Sequence, residues 1–165
     1  MLKLHNLMKV YRTDEVETVA LNGVNDEIDQ GDFVAVMGPS GCFKSTLLNI
    51  IGLLDNPSEG DYLFFDVTVA RYSEAQRAAI RKKNNGFIIQ SFNLIDELSV
   101  AENLDLALLY HDMQGGERKR RVAEVMDRMG ISHRAKHMPG KLSGGQQQSV
   151  AVARAVVGDQ PLIMA

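Results

Sequence analysis

The stretch Phe33-Val34-Ala35-Val36-Met37-Gly38-Pro39-Ser40-Gly41-Cys42-Phe43-Lys44-Ser45-Thr46 decides how the rest of the chain is read. Residues 33–37 are a continuous apolar run, the pattern of a strand buried on both faces. A glycine-rich loop follows at 38–43, and over residues 44–54 the apolar positions recur with helical spacing. Asp55-Asn56-Pro57 closes that helix, because a residue before proline is pushed out of the helical region. The order strand, glycine loop, Lys-Ser-Thr, helix suits a phosphate-like anion. Glycines let successive backbone N–H groups curl around it, the helix N-terminus adds about half a positive charge, and Lys44 adds a mobile full one. Ser45 is placed to hold a magnesium ion through its hydroxyl. The strict spacing G-x-x-x-x-G-K-[ST] is missed by one residue, since Phe43 stands where the second glycine belongs. The plain alternative for this stretch is a glycine turn between strand and helix that binds nothing.

Upstream, residues 2–4 and 19–21 read as short strands separated by an acidic loop at 12–17. Val24, Asp26 and Ile28 alternate with polar residues, with Asp26 on the face that should be apolar, and Gly31-Asp32 is a turn. Downstream, residues 62–65 suggest another strand. Val67 follows Asp66 where a hairpin turn would favour glycine, and a β-branched residue resists positive φ there. Ser73 can cap a helix running to about Lys83, with Gly86 before a strand at 87–89. Ser99 and Glu102 form a capping box for a helix to about Tyr110. Residues 117–129 are amphipathic, with Gly130 as the stop. A last helix opens after Ser143-Gly144-Gly145 and runs to about Val157. Residues 161–165 then begin a strand inside which the chain stops, so the domain is expected to be incomplete at its C-terminal end.

Composition agrees with one globular domain of about 100–200 residues. The chain has 165 residues, 45% hydrophobic and 24% charged. Eighteen basic against twenty-one acidic residues leave a net charge of −3, which excludes a bulk attraction to nucleic acid or anionic lipid. A single cysteine excludes an internal disulfide framework and a cysteine zinc cluster, and points to a reducing compartment. No apolar run approaches the ~18 residues of a membrane span, and the polar start is not a secretory signal. Direct membrane insertion is therefore not expected, and any membrane link comes through a partner.

Leu142-Ser143-Gly144-Gly145-Gln146 is a second candidate anion site at a helix start, its glycines exposing backbone donors and Ser143 adding a hydroxyl. The alternative is a capped helix with a flexible lead-in. With both stretches in view, the sequence resembles the ATP-binding subunits of ABC transporters. Gly38, Pro39, Ser40, Gly41, Cys42, Phe43, Lys44, Ser45 and Thr46 look like the family's Walker A loop, and residues 142–146 match its signature motif letter for letter. Gln90 looks like the Q-loop glutamine and Tyr11 like the aromatic residue that stacks on adenine. The loop at 12–17 and the run 90–103 look most like the subgroup serving lipoprotein release and macrolide-type efflux.

That resemblance implies an α/β fold: a P-loop NTPase-type sheet with an N-terminal antiparallel β part and a helical subdomain. It implies a single nucleotide-binding domain over 1–165, with a core at 1–90, a helical subdomain at 91–140, and the signature motif, its helix and the start of the Walker B strand at 141–165. It implies ATP and Mg²⁺ as ligands. Lys44 would contact the β- and γ-phosphates, the amides of 41–46 would cradle them, and Ser45 and Gln90 would ligate magnesium. Ser143, Gly144, Gly145 and Gln146 would reach the γ-phosphate held by a second subunit in a head-to-tail dimer. A transmembrane permease would couple ATP binding and hydrolysis to export or lipoprotein release at the cytoplasmic face of the membrane.

The departures from the family pattern carry their own expectations. The Walker B aspartate and catalytic glutamate would follow residues 162–165, and none of His5, His111, His133 or His137 matches the switch histidine. Phe43 should crowd the loop or take positive φ. With Val67, Asp26, and Ser149 in place of an arginine, these changes imply weak ATP binding without hydrolysis. A non-hydrolysing fragment or pseudo-subunit acting as an interaction module is the alternative function. Smaller features read as structural: Cys42 as a small loop residue rather than an activated thiol, and His133 with His137 as a solvated pair rather than a metal site. Likewise residues 118–121 read as a solvated or permease-facing basic run rather than a nucleic-acid site, and Met113, Met126, Met129 and Met138 as packing.

Overall fold

Leu2 and Leu4 alternate with Lys3 and His5, and that period of two begins β1 (Leu2–Arg12). In the computed structural model, which describes residues 1–111 and 113–165, β1 pairs antiparallel with β2 (Glu17–Ile28) on one side. On its other side it pairs with β3 (Glu59–Phe64). A short β4 (Val67–Thr68) completes the order β2-β1-β3-β4. Register sets Leu2 opposite Phe64 and Leu4 opposite Tyr62, and all four are buried. The helix after the glycine loop is α1 (Lys44–Ile51). It is held to β3 by the Tyr62 hydroxyl, which donates to the Ile51 carbonyl at 2.7 Å; burial pushes the Tyr62 phenol far up from its usual range.

Several local expectations are corrected here. The two short strands at 2–4 and 19–21 are parts of one long hairpin, and the loop shrinks to 13–16, where the Thr13 amide meets the Val16 carbonyl at 2.9 Å. Pairs such as Lys3 with Glu27 and Arg12 with Glu17 extend the strands through residues that are not apolar. Asp26 does not interrupt a buried face: it is exposed on an edge strand, with Val24 and Ile28 only half-buried. Helix α1 ends at Gly52, before the proline rule applies. Leu53 turns to φ 60°, and the amides of Leu54 and Asp55 both return to the Asn49 carbonyl. The β3–β4 hairpin turns at Phe65 and Asp66, with φ 47° and 65°, so Val67 is already paired strand opposite Phe64 and escapes positive φ.

The largest correction concerns residues 33–37, which join no sheet among the described residues. Phe33 is 98% and Met37 88% exposed. An apolar run becomes a strand only when neighbours supply its hydrogen bonds.

Two compact units divide the chain at residues 1–81 and 82–165. Helix α2 (Glu74–Asn84) begins in the first and ends in the second; Ser73 and Gln76 exchange hydrogen bonds at its start. In the second unit β5 (Asn85–Phe87) pairs in parallel with β6 (Leu162–Met164). Three helices complete it: α3 (Val100–Leu108), α4 (Gly115–Arg128) and α5 (Gly144–Val156). Their apolar stripes meet in one core that includes Leu104, Leu108, Val125, Met126, Val150 and Val157. Asn103 is fully buried inside it and is satisfied on both ends of its amide, accepting from the Ile95 amide and donating to the carbonyls of Ile95, Leu98 and Ser99. Gly86 is where β5 approaches α5, and a Cβ there would lie 2.2 Å from the Ala155 carbonyl oxygen.

The basic run at 118–121 is only partly solvated. Arg118 Nε pairs with Asp105 of α3 at 2.9 Å, and Arg121 donates to the Val157 carbonyl at 2.9 Å and pairs with Asp159. These two side chains tie α4 to its neighbours; Arg120 pairs along its own helix with Glu124. Met126 is in the core, Met113 and Met129 pack against it, and Met138 is exposed.

Candidate functional site

In the first unit the glycine loop leads straight into α1 without a side-chain cap. Phe43 occupies the N-cap position in the left-handed region, φ 59° and ψ 26°, and offers no hydrogen bond to the helix amides. No acidic residue sits in the first turn. The first amides of a helix have no partner within it, so this N-terminus keeps its donors and its partial positive charge. Gly41 carries φ 82°, and a Cβ on Gly38 would meet Cys42 Sγ at 2.7 Å, so both glycines are required by the loop itself. The positive φ expected of Phe43 is present, with its side chain half-buried.

Lys44 folds back across the loop. Its Nζ donates to the carbonyls of Gly38 at 2.8 Å and Pro39 at 2.7 Å, and lies 3.4 Å from Cys42 Sγ. The ammonium is thus held over the loop that would cradle an anion. Pro39, Ser40, Gly41, Cys42 and Ser45 are exposed, while Thr46 is buried beneath them. Tyr11 comes to the same end of α1 through the long hairpin, its hydroxyl 3.5 Å from Thr46 Oγ1 and its ring 42% exposed. Lys9 Nζ stands 5.2 Å from that ring's centroid.

In the second unit Gln90 is exposed on a turn after β5, closed by the Phe92 amide on the Ile89 carbonyl at 2.8 Å. Ser143 is the N-cap of α5 in a reciprocal capping box. The Gln146 amide donates to Ser143 Oγ at 3.4 Å, and the Ser143 amide donates to Gln146 Oε1 at 3.0 Å. The sequence pattern S-x-x-Q announces this box as clearly as Ser99-x-x-Glu102 does. Residues 142–146 form a capped helix start whose lead-in is exposed. Ser143, Gly144 and Gly145 face solvent, and a Cβ on either glycine would meet nothing within 4 Å. Glycine costs a helix about 1 kcal/mol relative to alanine. Gly144 and Gly145 open α5 with backbone whose Cβ side no side chain of the described residues covers. Ser149, in place of the family's arginine, bonds back to the Gly145 carbonyl at 3.0 Å.

Two residues near these motifs were not singled out from the sequence. Gln147 Nε2 donates to the Pro139 carbonyl at 3.1 Å and steadies the lead-in to α5. Arg154, in the same helix, binds the carbonyls of Phe92 and Asn93. A lone arginine spaced among alanines 151, 153 and 155 was the available signal for the second. Among the described residues no three His, Cys, Asp or Glu side chains gather as a metal site. His137 Nε2 lies 3.2 Å from the Arg134 guanidinium, an unsuitable neighbour for a cation.

Comparison with known proteins agrees with this geometry. A sequence profile described as ABC transporter matches residues 21–165. An ABC transporter ATP-binding protein of Methanocaldococcus jannaschii, MJ1508, is 41% identical over 165 residues, covering all of this chain and 74% of that protein. The macrolide export ATP-binding/permease protein MacB of Hyphomonas neptunium is 39% identical over 165 residues, which are 26% of its length. The ATP-binding cassette MJ0796, solved as a dimer in a post-hydrolysis state bound to ADP and Pi, superposes with a TM-score of 0.87 at 42% identity. That match covers 99% of this chain and 72% of the other.

Proposed function

The chain belongs to the ABC transporter family as an ATP-binding subunit, and from that premise we propose that it couples ATP binding and hydrolysis to export or lipoprotein release through a membrane permease. No helix among the described residues is long and apolar enough to cross a membrane. The permease, on this reading, supplies the attachment at the cytoplasmic face. The observation that carries the proposal is a pair of exposed helix starts: an uncapped one at Lys44, and one at Gly144 that opens with two exposed glycines.

The residues present fit a nucleoside triphosphate with magnesium. Lys44 has its ammonium over the loop, the first amides of α1 have no side-chain acceptor, and Ser45 is exposed one residue further on. We assign Tyr11 to the base, the residues 38–46 to the phosphates, and Ser45 and Gln90 to the metal. Bound magnesium would neutralise phosphate charge as the γ-phosphoryl leaves. The protein's own share is positioning and fixed positive charge, which cost no reorganisation when charge develops. Ser143, Gly144, Gly145 and Gln146 are assigned to the nucleotide of a second copy, head to tail. The dimeric cassettes of MJ0796 and the fused permease named in MacB support these partners by family likeness.

Phe43 favours weakened nucleotide binding in this chain, because a benzyl side chain occupies the N-cap where backbone must approach phosphate. The test is an equilibrium titration of the full chain with fluorescent ATP and Mg²⁺, together with phosphate release. Saturable binding is expected, weakened at least about tenfold by Lys44→Ala, the loss of one charge-assisted contact. Binding that Lys44→Ala leaves unchanged, or no binding even in Phe43→Gly, overturns the assignment.

A further inference from the structure

Arg154 lies in the last turn of α5, between the buried Ala153 and Ala155. Its guanidinium forks onto two successive carbonyls: Nη1 donates to Asn93 at 2.6 Å and Nη2 to Phe92 at 2.8 Å. Both acceptor residues are left-handed, φ 59° at Phe92 and 49° at Asn93. Asparagine enters that region with little penalty, but phenylalanine pays on the order of 1 kcal/mol or more. Two local bonds close the turn, the Phe92 amide to the Ile89 carbonyl at 2.8 Å and the Asn93 amide to the Ser91 carbonyl at 2.6 Å. Gln90 is carried on this turn and is exposed. Burial also presses the Arg154 pKa below its usual value. A partly desolvated guanidinium is tolerated where its donors are met, as they are here.

At its other end the same helix begins with Ser143, Gly144 and Gly145. With a rise of about 1.5 Å per residue, Gln146 and Arg154 are about 12 Å apart along one rigid rod. We propose that Arg154 is a positioning residue: its fork holds the turn at 89–93 in the left-handed conformation that presents Gln90, and so ties the place of Gln90 to the helix that carries the 143–146 motif. A strained turn without that fork has only two short local bonds to hold it, and relaxes.

Two measurements on the full chain test this. The first is amide hydrogen exchange without nucleotide. In Arg154→Met the amides of Phe92 and Asn93 should exchange about tenfold faster, with Leu104 and Val125 unchanged, and Arg154→Lys should fall between. Unaltered exchange at 92 and 93 overturns the proposal. So does a uniform rise across residues 82–165 in both variants, which would make Arg154 a general prop of the fold. The second measurement rests on the function proposed above, in which Gln90 serves magnesium. Arg154→Lys should weaken the Mg²⁺-dependent part of ATP affinity about as much as Gln90→Ala does, leave affinity in EDTA unchanged, and add nothing in the Gln90→Ala background. Additive effects of the two substitutions overturn the link to Gln90. If the unsubstituted chain binds no nucleotide, the functional reading fails alone, and the exchange result still decides whether Arg154 holds the turn.

Discussion

Phe43 shows how one side chain can leave a helix intact and still burden what the helix is for. Holding a bulky residue at φ 59° costs on the order of 1–2 kcal/mol. Glycine would remove that strain, but it adds unfolded-state entropy worth about 0.5–1 kcal/mol and loses a half-buried phenyl. The opposing effects nearly cancel, so Phe43→Gly should change unfolding free energy by less than about 1 kcal/mol in urea titration. Its effect on Mg-ATP affinity should be larger, at least about tenfold tighter, because only glycine lets phosphate approach the backbone. Glu74 gives a second residue-scale expectation. Its carboxylate accepts from Arg81 at 2.7 Å and from Arg77 at 2.5 Å, and these guanidinium bonds, Arg81 first, lower its pKa from 4.5 to about 2. Because the folded value lies below the unfolded one, the contribution is present above pH 4.5 and is lost as pH falls from there toward 2. Glu74 is exposed and screened, so the slope is shallow. Melting temperatures followed from pH 5 to pH 2.5 should fall less steeply in Glu74→Gln than in the unsubstituted chain.

At the scale of elements, α1 and α5 begin in opposite ways. Phe43 leaves the start of α1 with no side-chain acceptor, whereas Ser143 and Gln146 close a capping box over α5. Capping stabilises α5, yet two glycines follow at positions where a Cβ would be free of contact. Stability and function therefore pull apart at this helix start. Gly144→Ala and Gly145→Ala should each raise unfolding stability by about 0.5–1 kcal/mol. The same substitutions should abolish ATP-dependent dimerisation, measured by sedimentation velocity in Mg-ATP. Stabilised variants that still dimerise would remove the 143–146 motif from the trans site. Helix α3 ends two residues before its sequence-based limit, and α4 begins two residues before its own and ends one residue short of it.

For the whole molecule, residues 33–37 carry the most weight. They lead from β2 to the glycine loop, are apolar, and have no sheet partner among the described residues. Unpaired backbone and exposed Phe33 and Met37 make this the accessible stretch of the first unit. Brief chymotrypsin digestion should cut first at Phe33 or Met37 and spare the core helices α3 and α5. Protection of that site by Mg-ATP or by a second copy would show the stretch being drawn into order on binding. Relatives such as MJ1508 match the whole of this chain with 74% of their own length.

The sequence alone determined the local chemistry: the glycine loop before Lys44, the signature run at 142–146, the capping box at Ser99, and helices from Ser73 to about Lys83 and from after Gly145 to about Val157. Each depends on residues within a few positions of one another, through backbone freedom, caps and a 3.6-residue period. Only the tertiary structure decided which apolar runs become strands, because a strand is completed by distant partners: residues 33–37 lacked them, while residues 5–12 gained them without an apolar pattern. It alone brought Tyr11 to the start of α1 and set the Arg154 fork on Phe92 and Asn93. Those contacts span 35 and 62 positions of sequence, a separation that no local pattern encodes.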